Sequence, residues 1–198
     1  HNIHLAHGKA VRIIRKLVYD ANIGITLATQ PRIPMTDADK EAAVKSYFGG
    51  GLGGFFWSTD YWLDPIVFGK YGERLLQEAG EMFPKFTDED MRLINEKIDF
   101  IGLNIYEACY QGDYKRPFGT PHTELHWDLY PQALEWGVKL NYERYKLPIY
   151  ITENGMGYKD DFVDGTIDDE PRIDYIKRHL QAVLQANEDG ANVNGYFV

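Results

Sequence analysis

Cysteine is nearly missing from this chain. Cys109 is the single one in 198 residues, so no intrachain disulfide can form and no oxidising compartment is needed. Neither end carries a charged segment followed by a long apolar run, which leaves no membrane span and no visible signal peptide, and a cytoplasmic location is the expectation. Lys and Arg form no cluster, and the formal charge is −9, a balance that disfavours nucleic acid and other polyanions as partners. Repeats, low-complexity segments and interdomain linkers are absent as well, so residues 1–198 read as one piece of one domain.

What is present argues for a folded protein: 44% of residues are apolar and 14% aromatic. Fourteen Tyr and four Trp suit a protein that stacks sugar rings, but the same residues fill ordinary cores.

Residues 1–19 place Ile3, Ala6, Ala10, Ile13, Ile14 and Leu17 at helical spacing, which predicts an amphipathic helix with that stripe inward. Ile23 to Thr29 is a compact β-branched run that reads as a buried strand. Helices are expected from Asp37 to Tyr47, from Lys70 to Ala79, and from a Thr87 cap to about Glu96. Ile98 to Tyr106 forms the next strand, and the long stretch Glu107 to Asp128 reads as a functional loop. Pro131 can open a helix reaching Tyr145. Ile149 to Glu153 is a third strand and Tyr158 to Asp169 a loop. Pro171 opens a helix with Ile173, Ile176, Leu180, Val183 and Leu184 on one face, and Val193 to Val198 begins a fourth strand. Strands of this buried type alternating with helices indicate a parallel sheet wrapped by helices, an α/β fold.

Three features invite chemistry and do not carry it. Gly49 to Gly54 holds five glycines in six residues, but no Gly-Lys-Ser/Thr follows and no strand immediately precedes, so a surface loop packed by Phe55, Phe56, Trp57, Tyr61 and Trp62 is the better reading than a phosphate cradle. His1, His4 and His7 drift across a helix face with no carboxylate or thiolate beside them, so buried or capping roles are expected rather than metal binding. Cys109 reads as a packed thiol, with no base at triad spacing.

The most informative words are Leu147-Pro148-Ile149-Tyr150-Ile151-Thr152-Glu153-Asn154-Gly155, an apolar strand ending in a carboxylate before a glycine turn, which is how a β/α barrel presents a catalytic acid. They resemble the nucleophile strand of glycoside hydrolase family 1, the retaining β-glycosidases, in its T-E-N-G word. Asp99 to Tyr106 resembles that family's D-F-[IL]-G-[LI]-N-Y-Y strand, Gly195 to Val198 the start of its last strand, and His1 to Gly8 its H-N-x-x-x-A-H-G helix.

The resemblance implies a TIM (β/α)8 barrel present in part, about strands 5 to 8 with their helices, so that residues 1–198 form the C-terminal portion of a single glycoside hydrolase barrel domain. It implies a β-glucosidase-like enzyme acting on β-glycosides by double displacement, with Glu153 as nucleophile and Tyr106 as its hydrogen-bond donor. Asn104 and Trp127 would contact substrate, Trp127 on the aglycone side, while Asn154 and Gly155 would shape the turn. No cofactor or metal is implied. The pattern departs from the family at Ile105 and Glu107, where a second tyrosine and a small hydroxyl residue are usual. No Asn-Glu-Pro occurs, the word in which the family carries its general acid/base. A complementary chain or self-association is therefore expected to complete the barrel. The competing readings are a non-catalytic sugar-binding module on the same fold and a phospho-β-glycosidase, which depends on basic residues after the last strand.

Overall fold

The computed structural model describes residues 1–49, 58–111 and 119–198. The chain order opens with α1 (Asn2–Leu17), β1 (Gly24–Ala28), β2 (Arg32–Ile33), α2 (Lys40–Phe48) and α3 (Thr59–Phe68). There follow α4 (Glu73–Ala79), α5 (Asp88–Ile94), β3 (Phe100–Asn104), β4 (Cys109–Tyr110) and α6 (Gln132–Tyr145). The last part is β5 (Ile149–Glu153), β6 (Phe162–Val163), β7 (Thr166–Ile167), α7 (Glu170–Glu188) and β8 (Val193–Tyr196).

Four strands make the central sheet in the order β1-β3-β5-β8, every pair parallel. One face is sealed by helices: Ile101, Leu103, Ile149 and Ile151 are fully buried and belong to the main apolar cluster. On the opposite face Thr26, Gly102 and Thr152 lie side by side, and Phe100 meets Tyr150 edge-on with ring centroids 4.9 Å apart. Gly195 is required there, because a Cβ would come within 2.6 Å of the Tyr150 ring. This face is open: Thr26, Ala28 and Glu153 are exposed. The expectation of uniformly buried strands therefore fails for β1 and β8, which are the two edges of the sheet and are covered on one side only.

Helix α1 forms as its periodicity demands but buries the other face. Ile3, Ile13 and Leu17 are more than half exposed, whereas His4 and Val11 are buried. The reason is Gly8: the helix approaches α5 so closely that a Cβ there would lie 2.0 Å from the Leu93 carbonyl oxygen. Backbone contact outranks the apolar stripe. α7 repeats the shift, burying Tyr175, His179, Ala182, Val183 and Ala186 while Ile173 and Leu184 stay exposed.

The Thr87 cap is as expected: Asp90 N donates to Thr87 Oγ1 at 3.1 Å while Thr87 N donates to Asp90 Oδ2 at 2.8 Å. α3 is a helix over a stretch to which the sequence pattern assigned no element. Pro65 inside it and the aromatics around it hide the period, and burial of Leu63 and Ile66 holds it. Of the glycine loop and its aromatic cluster, residues 50–57 lie outside the described residues. The Tyr158–Asp169 loop contains the β6–β7 hairpin, turned at Asp164-Gly165 with both φ positive, the backbone that an Asp-Gly pair favours.

His4 takes the buried role. It hydrogen-bonds the Tyr71 hydroxyl (3.1 Å) and the Trp62 carbonyl (3.2 Å), and burial pulls its pKa down to about 4. His1 bonds the same Tyr71 hydroxyl at 3.0 Å. Among the described residues no group of three His, Cys, Asp or Glu is placed to hold a metal ion, and no helix is long and apolar enough to cross a membrane.

Candidate active site

The carboxyl ends of β3 and β5 bring the expected polar residues together. Asn104 closes β3 and Glu153 closes β5, and the two are register partners because the pairing slips by one residue between Leu103 and Asn104. That irregularity matters, since regular pairing would have set Asn104 opposite Thr152. Side chains alternate across a strand, so the slip brings Glu153 level with Asn104.

Tyr106, just beyond β3, donates its hydroxyl hydrogen to Glu153 Oε2 at 2.6 Å. The bond raises the phenol's pKa to about 12, with burial and the nearby negative charge adding to the effect. Tyr106 is therefore a neutral donor throughout the physiological range, and its bond engages one of the two Glu153 carboxylate oxygens. Asn104 Oδ1 accepts from Thr152 Oγ1 at 2.6 Å, which fixes the amide and aims its nitrogen away from that bond.

Trp127 lies in the loop before α6, where Thr123 N donates to its carbonyl at 2.8 Å. Its ring centroid is 5.1 Å from that of Tyr106, tilted by 42°, so the indole belongs to the same cluster as the phenol. A cavity of about 540 Å³ opens beside them, bounded by Tyr106, Trp127, Asn154, Met156 and Ile176; Glu153 is not among its walls. Apolar walls with a few polar groups are what a small-molecule site offers.

The two departures from the family words have definite places. Ile105 is buried in the core, at 1% exposure, and Glu107 accepts from Gln30 Nε2 at 2.6 Å, so neither replaces the Tyr106–Glu153 bond. Cys109 is half-buried, and its thiol donates to Gln30 Oε1 at 3.4 Å. Thr152, Tyr175 and Tyr196 are participants that sequence reasoning did not single out. Thr152 orients Asn104, and the two tyrosines reach Asn154. Thr152 and Tyr196 fall inside the family-like words but Tyr175 does not, and no local pattern marks the contacts themselves, since the three come from elements that meet only in the folded sheet.

Polar side chains gathered at the carboxyl ends of parallel strands, against an apolar cavity, define the class: an α/β protein whose site lies where such sheets carry small-molecule chemistry. The chain belongs to glycosyl hydrolase family 1, whose model matches residues 1–119 and 110–198, and the fold is that family's TIM barrel in part. It is 36% identical to a 6-phospho-beta-galactosidase of Clostridium acetobutylicum, covering 100% of this chain and 48% of that one. It is 34% identical to beta-glucosidase A of Thermotoga maritima, covering 100% and 46%. The structure of a Thermotoga maritima beta-glucosidase in complex with deoxynojirimycin superposes with a TM-score of 0.84 at 32% identity, over 100% of this chain and 45% of that one. The chain thus spans about half the length of the curated relatives it matches.

Proposed function

We propose that this chain is the nucleophile-bearing half of a retaining β-glycosidase, corresponding to strands 5 to 8 of the barrel, with β1, β3, β5 and β8 in those places. The hydrogen bond from Tyr106 to Glu153 at 2.6 Å carries the proposal: it holds one carboxylate oxygen and leaves Oε1 to attack. In the first displacement Glu153 Oε1 forms a bond to the anomeric carbon, and the bond to the leaving oxygen breaks as a second carboxylic acid protonates that oxygen. In the second, water gives a proton to the same group and displaces Glu153. The general acid/base lies on the complementary half of the barrel. Asn104 contacts sugar hydroxyls, and Trp127 forms a platform for the aglycone.

The open face of the sheet, the outer edges of β1 and β8, and the exposed stripes of α1 and α7 are the surfaces the complementary half covers. The substrate is a β-glucoside. A 6-phospho-β-galactoside is the second reading, supported by the 36% identical relative of that name.

The test is intact mass before and after incubation with activated 2-deoxy-2-fluoro-β-glucoside and its 6-phosphogalactoside counterpart, on protein purified together with any companion chain. One added sugar mapped to Glu153 is expected, and the reagent that labels faster names the substrate. An adduct on another residue, or none with either reagent, sinks the proposal.

A further inference from the structure

The side chain after Glu153 is held by more of the fold than a turn requires. Asn154 is 2% exposed. Its Nδ2 donates to the Ile105 carbonyl at 2.7 Å and to the Tyr175 hydroxyl at 3.1 Å, and its Oδ1 accepts from the Tyr196 hydroxyl at 2.5 Å. An asparagine that merely shapes a turn bonds backbone about two residues away, whereas these partners lie 49, 21 and 42 residues distant.

The bond to Ile105 has a reciprocal. Ile105 N donates to the Glu153 carbonyl at 3.2 Å, so both backbone polar groups of Ile105 are tied to the pair Glu153-Asn154. Tyr106 is the next residue after Ile105. The clamp therefore sits directly behind the Tyr106–Glu153 hydrogen bond, and α7 and β8 brace it through Tyr175 and Tyr196. Gly155 adds a backbone hydrogen bond to the Tyr175 hydroxyl.

We infer that Asn154 is a positioning residue, whose amide, clamped between Ile105, Tyr175 and Tyr196, sets the Glu153 carboxylate against the Tyr106 hydroxyl. The inference rests on the reading of Glu153 as nucleophile. It requires a carboxamide of this length. Aspartate would set a carboxylate oxygen against the Ile105 carbonyl with no hydrogen between them, and alanine would leave the Ile105 carbonyl and the Tyr196 hydroxyl without their partner.

The test uses 2,4-dinitrophenyl 2-deoxy-2-fluoro-β-glucoside or the 6-phosphogalactoside analogue, whichever labels the wild type, with any companion chain retained. Dinitrophenolate departs without protonation, so trapping reports on the nucleophile and not on the acid. In Asn154→Ala the first-order trapping constant is expected to fall by about 100-fold, because misplacement of a reacting group by about 1 Å costs that much, a larger change than in the reagent's dissociation constant. Tyr196→Phe, which keeps the ring and drops one bond, is expected to slow trapping less and remains readable if Asn154→Ala does not fold.

Asn141→Ala is the control for stability. It removes an equally buried amide, bonded to the Tyr47 hydroxyl and the Gly137 carbonyl at 2.8 Å each, and should lower the melting temperature without changing the trapping constant. Wild-type trapping rates in both Asn154→Ala and Tyr196→Phe overturn the inference alone, as does an equal slowing in Asn141→Ala. A wild type that resists both reagents removes the nucleophile reading, and this inference with it.

Discussion

Arg144 on α6 grips Asp64 on α3 as a fork, Nε to Oδ1 at 3.1 Å and Nη2 to Oδ2 at 2.6 Å, and Tyr145 donates to the same Oδ1 at 2.9 Å. Asp64 is nearly buried, and the Arg144 guanidinium also lies over the Phe48 ring at 4.9 Å. Two helices far apart in sequence are thereby locked on one side of the sheet.

Removing one partner of such a pair leaves the other charge poorly compensated. Asp64→Ala is expected to cost about 3 kcal/mol of unfolding free energy, measured by urea denaturation. A loss below about 1 kcal/mol, the range of an exposed pair, would mean that water already screens the fork.

Gly8 sets how close α1 comes to α5, with no room for a Cβ against the Leu93 carbonyl. Gly8→Ala, normally favourable in a helix, should here destabilise by about 1–3 kcal/mol, because backbone rather than a pliant side chain must move. A raised melting temperature in the variant would show that the helix can shift freely.

His4 makes stability depend on pH. Its folded pKa of about 4 lies below its usual value, so between pH 6.5 and 4 the unfolded chain binds more protons than the folded one. Stability is therefore full above pH 6.5 and is lost as pH falls towards 4, by about 3 kcal/mol from this group. His7 and His179, also lowered by burial, act in the same direction. Chemical denaturation at pH 7 and pH 4.5 should show a smaller drop in His4→Gln than in wild type; equal drops would acquit His4.

Tyr106→Phe removes the donor from Glu153. A hydrogen bond to a charged group contributes about 1.5–3 kcal/mol, which converts to roughly 10- to 100-fold in the rate of covalent trapping. Labelling should remain on Glu153 with unchanged circular dichroism. An unaltered rate would assign Tyr106 to packing alone.

Exposed Ile3, Ile13 and Leu17 on α1, Ile173 and Leu184 on α7, and two sheet edges that take no partner strand among the described residues leave the isolated chain prone to association. In light scattering without a companion chain it should exceed the monomer mass. A stable monodisperse 22.8 kDa particle would defeat this expectation.

The alternation of strands and helices, the Thr87 cap and the strand ending in Glu153 were legible in the sequence, because each rests on residues within a few positions of one another. The words around Glu153 and Tyr106 also pointed to the family and to the pair itself. Helix faces were not legible: α1 and α7 were read by their apolar stripes, but Gly8 and the small residues of α7 decide what packs inward, and only neighbouring elements reveal that. The α3 helix was hidden by Pro65, whose local disfavour is outweighed by burial of Leu63 and Ile66.

The site divides in the same way. By itself the sequence determined which carboxylate, phenol, amide and indole are available and which strand ends carry two of them. The tertiary structure alone decided the one-residue slip beside Asn104, the tilted contact of Trp127 with Tyr106, and the clamp on Asn154. These are contacts between residues 21 to 49 positions apart, which local pattern cannot encode because they exist only once the sheet has brought its strand ends together.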